Sequence, residues 1–517
     1  MHTVSPTQPS ARSASAASGS FPWQPDRGDG TYRNPIICAD YSDPDVVRVG
    51  NDFYLVASSF NCTPGLPILH SKDLVNWTII NHALKNLPHP RYGEVQPGCG
   101  VWAPAIRFHA NKFWIFFPTP DEGIYVITTA DPNGQWTEPH LLQAGKGLID
   151  PCPLWDDDGQ AYLVHAYAGS RAGIKHRLRV CPMAPDASRI LGEGKIVYHE
   201  PEKHPTIEGP KFLKRDGWYY ILAPAGGVET GWQLALRSRN IYGPYESKIV
   251  LEQGNTAING PHQGALVSTP DGKSWFVHFQ DAGVYGRVTH LQPVHWHDGW
   301  PLMGQSLRGV AEPVLHHTKP ASTNTQLLGP QTSDEFDSPT LGLQWQWHAN
   351  HQDHWCELGR RKGWLRLHPQ FAAQPKLNHL PNLLLQKFPA RAFTVETSLD
   401  FSHAQPGEEA GLIVAGQSFA ALALEKTESG HQLILNIDGA KTVVRSGLPG
   451  AIHLRVAVAD GGRCHFSFVS AGETVALPET FLAKKGVWIG AKIGLYSLAH
   501  RKNQPAGHAD FDYFRFS

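Results

Sequence analysis

The chain has 517 residues, 41% of them hydrophobic and 18% charged, with a net charge of −1. That length exceeds what one hydrophobic core serves, so two domains are expected. There is no basic block of the kind that binds nucleic acid, and no apolar run approaches the ~20 residues of a membrane span.

Residues 1–28 are rich in Ser, Ala and Pro and lack an apolar centre. They read as a disordered tail, not a signal peptide. A cytoplasmic location is the resulting expectation, with an already removed signal as the alternative. The seven cysteines (Cys38, Cys62, Cys99, Cys152, Cys181, Cys356 and Cys464) are odd in number and widely spaced. They read as small buried hydrophobes and not as a disulfide or zinc framework.

From residue 29 to 314 one unit recurs: an apolar strand, a polar turn, then an aromatic-rich strand. The copies are "DVVRVGNDFYLVASS" from Asp45, "AIRFHANKFWIFF" from Ala105, "PLWDDDGQAYLVHAY" from Pro153, "KFLKRDGWYYIL" from Lys211 and "ALVSTPDGKSWFVHF" from Ala265. Further strand-like pieces, "GIYVITTA" and "WQLALRSR", lie between copies. Five copies at a period of roughly 50 residues predict a five-bladed β-propeller.

Each copy is preceded by a short marker: "YSDP", "VWAP", "LIDP", "TIEGP" and "NGPHQG". Taken as equivalent, these place Asp43, Trp102, Asp150, Glu208 and His262 at one mouth of the central channel. A lone Asp before Pro is usually a turn residue. Three acids at matching points of three repeats carry more weight than any one of them. Clustered carboxylates repel and raise one another's pKa, which a fold avoids unless a site uses it. Glycoside hydrolysis is such a use, since it needs one protonated and one ionised carboxyl group. Glu208, between Ile207 and Gly209-Pro210, is the candidate acid. Asp43, in the polar "DYSDPD", is the candidate base, and Asp150 the group that tunes and orients the acid. No calcium-loop pattern is present, and no catalytic metal or other cofactor is expected.

The combination "NPIICADYSDPDVVRVGNDFYLVASSF", "PGLPILHSKDLVNW", "VWAPAIRF", "LIDPCPLWDDDG" and "IEGPKFLKRDGWYY" resembles glycoside hydrolase family 43, the five-bladed β-xylosidases and α-L-arabinofuranosidases. The resemblance runs from about Asn34 to Gly304. It implies the same roles for Asp43, Asp150 and Glu208. It further implies sugar-stacking aromatics at Phe60 and Trp102, an axial His at His262, and a sugar-contacting Arg at Arg287. It implies an inverting, exo-acting enzyme that releases terminal xylose or arabinose from plant cell-wall oligosaccharides. After "KRDGWYYILAPAGG", where many xylosidase relatives carry a small hydroxyl residue and an aromatic, this chain has Val228-Glu229-Thr230. Val228 and Glu229 are therefore expected at the leaving-group side. The alternatives are a non-catalytic sugar-binding propeller or an enzyme for another glycoside such as a galactofuranoside.

Residues 315–333 read as a polar, Pro-containing linker, and 334–517 as an antiparallel β-sandwich. "SDEFDSPTLGLQWQW" and "ADFDYFRF" resemble the concanavalin A-like (jelly-roll) domain that follows the propeller in many family 43 β-xylosidases. That resemblance implies packing against the propeller, narrowing of the pocket, and a chain able to form homo-oligomers. Asp510 and Asp512 offer oxygens for a structural calcium; solvated strand-end acids are the simpler reading.

Overall fold

The computed structural model describes residues 21–307, 310–322, 326–372, 376–502 and 506–517. Five four-stranded antiparallel sheets are arranged as blades, each built from consecutive strands. Blade 1 holds Asp45–Val49, Asp52–Val56, Gly65–Ser71 and Thr78–Leu84. The inner strands of blades 2 to 5 are Ala105–His109, Leu148–Trp155, Lys211–Arg215 and His262–Ser268. Each expected strand–turn–strand copy is the inner hairpin of one blade.

Apolar residues on facing blades form separate cores. Leu55, Leu69 and Trp77 of blade 1 meet Val267, Trp275 and Val277 of blade 5. Val164 and Val180 of blade 3 meet Phe212, Ile221 and Leu234 of blade 4. A strand buried on both faces reads as an apolar run, which is why these hairpins are so apolar. Among the described residues no strand is exchanged to close the ring. Ile37 instead bridges Thr289 of blade 5, and the Asn34 side chain bonds the backbone of Leu291 through both its amide nitrogen (2.9 Å) and oxygen (2.8 Å).

The expected boundaries need correction at both ends of the propeller. Residues 21–28 pack against it: the Trp23 indole donates to the Pro35 carbonyl (2.8 Å), and buried Asp26 accepts from Asn76 (2.8 Å) and pairs with Lys319. Residues 1–20 lie outside the described residues. The expected linker contributes a strand, His316–Thr318, paired with Thr31–Arg33.

The second domain is two stacked sheets, antiparallel except where Gln370–Phe371 pairs parallel with Lys492–Ala499. One is centred on Lys492–Ala499, Glu408–Ala415, Phe419–Thr427 and Gly430–Ile437. The other is centred on Ala509–Phe516, Phe393–Asp400, Ala451–Ala459 and Arg463–Ser470. Leu412, Leu422, Leu433, Leu454, Val456, Phe466, Leu495 and Phe511 fill the space between them. Alternation of buried and exposed residues along 451–459 is the expected sandwich pattern. Asp510, weighed as a calcium ligand, is buried, and both its oxygens accept from the Arg366 guanidinium (2.8 and 2.9 Å).

The sandwich packs directly on the propeller. The amides of Thr63 and Trp347 exchange backbone hydrogen bonds across the boundary, and the Gly490 amide donates to Asp40 (3.0 Å). This docking sets the position of the loop 486–490. Among the described residues no helix is long and apolar enough to cross a membrane.

Candidate active site

Where each inner strand begins, the blades follow a common register. The aligned positions are Asp45, Ala105, Cys152, Lys211 and Ala265, opposite Val56, Phe116, Val164, Leu222 and Val277; in blade 5 pairing resumes one residue earlier, at Gly264 opposite His278. Two residues earlier stand Asp43, Ala103, Asp150, Gly209 and Gln263. Four of these five have left-handed backbone, with φ of 54°, 57°, 57° and 36° for Asp43, Asp150, Gly209 and Gln263. Such angles cost energy outside glycine and concentrate at functional sites. One residue earlier still come Ser42, Trp102, Ile149, Glu208 and His262.

The expected equivalence is thus corrected. Asp43 and Asp150 share one slot, whereas Glu208, Trp102 and His262 belong to the slot before it. Glu208 still reaches the same space, because its blade carries Gly209 in the first slot. All three acids line one cavity of about 300 Å³ with Phe60, Trp102, Val228 and Arg287.

Asp43 is buried, and its Oδ2 accepts from the hydroxyls of Ser42 and Ser58, each at 2.6 Å. The Arg287 guanidinium lies 3.3 Å from Oδ1 and also donates to Ser42 (2.8 Å). Arg287 is held by its own amide, which donates to Asp40 (2.9 Å). Three donors on one carboxylate define an acceptor of fixed orientation.

Asp150 accepts a hydrogen bond from the Gly209 amide (2.7 Å), which ties blade 3 to the residue beside Glu208. Burial, and then the charges of Glu208 and Asp43, hold its carboxyl well above the usual carboxylate range. Glu208 is one-quarter exposed, and its Oε1 lies 3.1 Å from His262 Nε2. His262 is fully buried and is not part of the cavity wall, so this His backs the acid instead of contacting sugar.

Phe60 and Trp102, the expected sugar-stacking aromatics, stand together in the cavity wall as a tilted pair with ring centroids 6.5 Å apart. Trp102 also meets Trp488 edge-on at 6.2 Å. Trp488 comes from the sandwich loop, lies 5.7 Å below the Arg287 guanidinium carbon, and forms part of the cavity wall. Together with Thr206, Gly227 and Gln263 it was not read from the sequence. A residue nearly two hundred positions beyond the propeller's last strand carries no local signal of such a contact. Glu229, expected at the leaving-group side, does not line the cavity. Its side chain is 75% exposed and points to Lys485 of the sandwich at 4.0 Å.

A five-bladed propeller with three carboxyl groups and two neighbouring aromatics in one end pocket defines a carbohydrate-processing enzyme of the carboxylate-pair type. Comparison with known families makes this specific. Residues 32–301 match the model for glycosyl hydrolases family 43, and residues 333–517 match the β-xylosidase C-terminal concanavalin A-like domain. The chain belongs to glycoside hydrolase family 43. A Xylanibacter ruminicola protein is 41% identical over 91% of this chain and 86% of its own length. A Formosa agariphila β-xylosidase is 32% identical over 98% of this chain and 93% of its own. Among solved structures, a family 43 protein from Bacillus licheniformis superposes with a TM-score of 0.82 at 26% identity, covering 94% of this chain and 99% of that one.

Proposed function

We propose that this glycosidase cleaves the terminal sugar from short xylo-oligosaccharides with inversion at the anomeric carbon. The observation that carries this is the pairing of unlike carboxyl groups in one cavity. Asp43 is fixed by three donors, whereas Glu208 stands partly exposed beside a buried Asp150.

In this reading Asp43 accepts a proton from the attacking water, and Arg287 and the two serine hydroxyls hold it in place. Glu208 gives its proton to the leaving oxygen. Asp150, its carboxyl raised by burial and by the neighbouring charges of Glu208 and Asp43, orients that acid through the Gly209 amide. His262 orients the Glu208 carboxyl from behind. Phe60 and Trp102 take the sugar face, and Trp488 of the sandwich adds to the same wall, which favours entry of one chain end. That geometry supports exo action.

A second reading, release of terminal arabinofuranose, is supported by a Bacteroides ovatus relative. That protein is described as a non-reducing end α-L-arabinofuranosidase and is 29% identical over 94% of each chain. Rates on nitrophenyl β-xyloside, α-arabinofuranoside and β-galactofuranoside decide among sugars, and NMR of the first anomer formed reads the stereochemistry. A product of retained configuration would overturn the inverting reading.

A further inference from the structure

The slot that holds the base in blade 1 and the tuning acid in blade 3 is filled in blade 5 by Gln263. Its backbone is left-handed like theirs, and the inner strand bulges there between His262 and Gly264. Every side chain in this slot, Asp43, Ala103, Asp150 and Gln263, lines the cavity. Gln263 is only 3% exposed, and its amide nitrogen has no hydrogen-bond partner among the described residues. A buried donor left unpaired in a folded protein calls for a role.

Gly209 shows how the amide is placed. A Cβ there would lie 2.7 Å from Gln263 Cδ and 2.8 Å from its Cγ. The Gln263 side chain therefore lies on the bare backbone next to Glu208. Blade 5 stands between blade 4, which carries Glu208, and blade 1, which carries Asp43. Gln263 thus lines the cavity between the blades that carry the two reacting carboxyl groups. An amide also offers a donor without adding a fourth carboxylate to a site already strained by three.

We propose that Gln263 is a substrate-binding residue whose terminal amide hydrogen-bonds one hydroxyl of the terminal sugar. It rests on the reading of the site as an exo-glycosidase pocket. The neutral amide selects a hydroxylated ring and gives no advantage to an anionic one.

The test pairs a side-chain change with removal of each sugar hydroxyl. Wild type and Gln263→Met, which keeps length but not the amide, are assayed on 4-nitrophenyl β-D-xyloside and its 2-, 3- and 4-deoxy analogues. If the wild type prefers arabinofuranoside, the corresponding series of that sugar replaces it. The expected result is a loss of roughly 10- to 100-fold in kcat/KM on the parent sugar. On one deoxy analogue the two proteins should agree within about 2-fold, because both then lack the same hydrogen bond. An equal loss on all four substrates, or none on the parent, overturns the proposal. Should the Met variant fold poorly by its melting temperature, Gln263→Asn, which withdraws the amide by one methylene, is read against the same outcomes. A wild type inert towards every glycoside would overturn the functional reading, and this inference with it.

Discussion

Gly286 of the propeller and Gly490 of the sandwich meet backbone to backbone. A Cβ on Gly490 would lie 2.7 Å from the Gly286 nitrogen, and one on Gly286 would lie 2.6 Å from the Gly490 nitrogen. Between them Asp40 accepts the amides of Arg287 (2.9 Å) and Gly490 (3.0 Å). One buried carboxylate thus fixes both the arginine behind the base and the loop that carries Trp488.

Gly490→Ala should push that loop off its seat while leaving every reacting group in place. We expect kcat/KM on xylobiose to fall roughly 10-fold or more, since small misplacements in a binding wall are costly. Steady-state kinetics with a melting curve check this; unchanged kinetics would show that the loop does not shape the pocket.

Asp150 ties pH to stability. Its carboxyl is held above its usual 3.8 by burial and by the charges of Glu208 and Asp43, so the folded state retains a proton that the unfolded chain releases. Stability from this group is present below the unfolded value and is lost as pH rises through the raised folded value. Asp150→Asn removes the loss and keeps an acceptor for the Gly209 amide. The variant should gain in melting temperature over wild type as pH rises from about 4 towards 8, while kcat falls by about 100-fold. A melting difference that stays flat with pH would contradict the assignment.

Glu409 behaves in the opposite sense. It is buried in the sandwich, and burial alone would raise its carboxyl, but bonds from His500, Lys441 (2.7 Å) and Tyr496 bring it below the usual range. Stability from this group is present above the unfolded value of 4.5 and is lost as pH falls through the lowered folded value. Lys441→Met strips the buried charge of its cation. Denaturant unfolding at neutral pH should show a loss of about 3 kcal/mol that shrinks in acid. A loss independent of pH would mean that Lys441 acts by packing alone.

Glu229 is the control. Because it projects into solvent, Glu229→Ala should change kcat/KM by less than about 2-fold on any substrate. A large change in the ratio of xyloside to arabinofuranoside rates would restore it to the site.

The repeats were legible because each inner strand begins buried and each hairpin closes on a turn such as Asp216-Gly217, so composition and spacing agree. The acids were legible because they recur at the same boundary. The off-by-one at Glu208 was hidden, since only the pairing of Lys211 with Leu222 shows that Gly209, not Glu208, is the counterpart of Asp43. His262 was found, but its place behind the acid depends on which way a bulge turns its side chain. Strands 440–448 and 473–482 escaped notice because they are largely solvent-exposed and show no strong apolar alternation. Trp488 escaped because domain docking, not local pattern, brings it to the pocket.

The central claim is that Glu208 protonates the leaving oxygen. It is tested most directly by Glu208→Gln on two substrates that differ only in need of that proton. On xylobiose, whose leaving sugar is a poor leaving group, kcat should fall about 1,000-fold or more. On 2,4-dinitrophenyl β-xyloside, whose phenolate leaves unaided, the fall should be at least ten times smaller. Equal losses on both, or an active variant on xylobiose, would contradict the account.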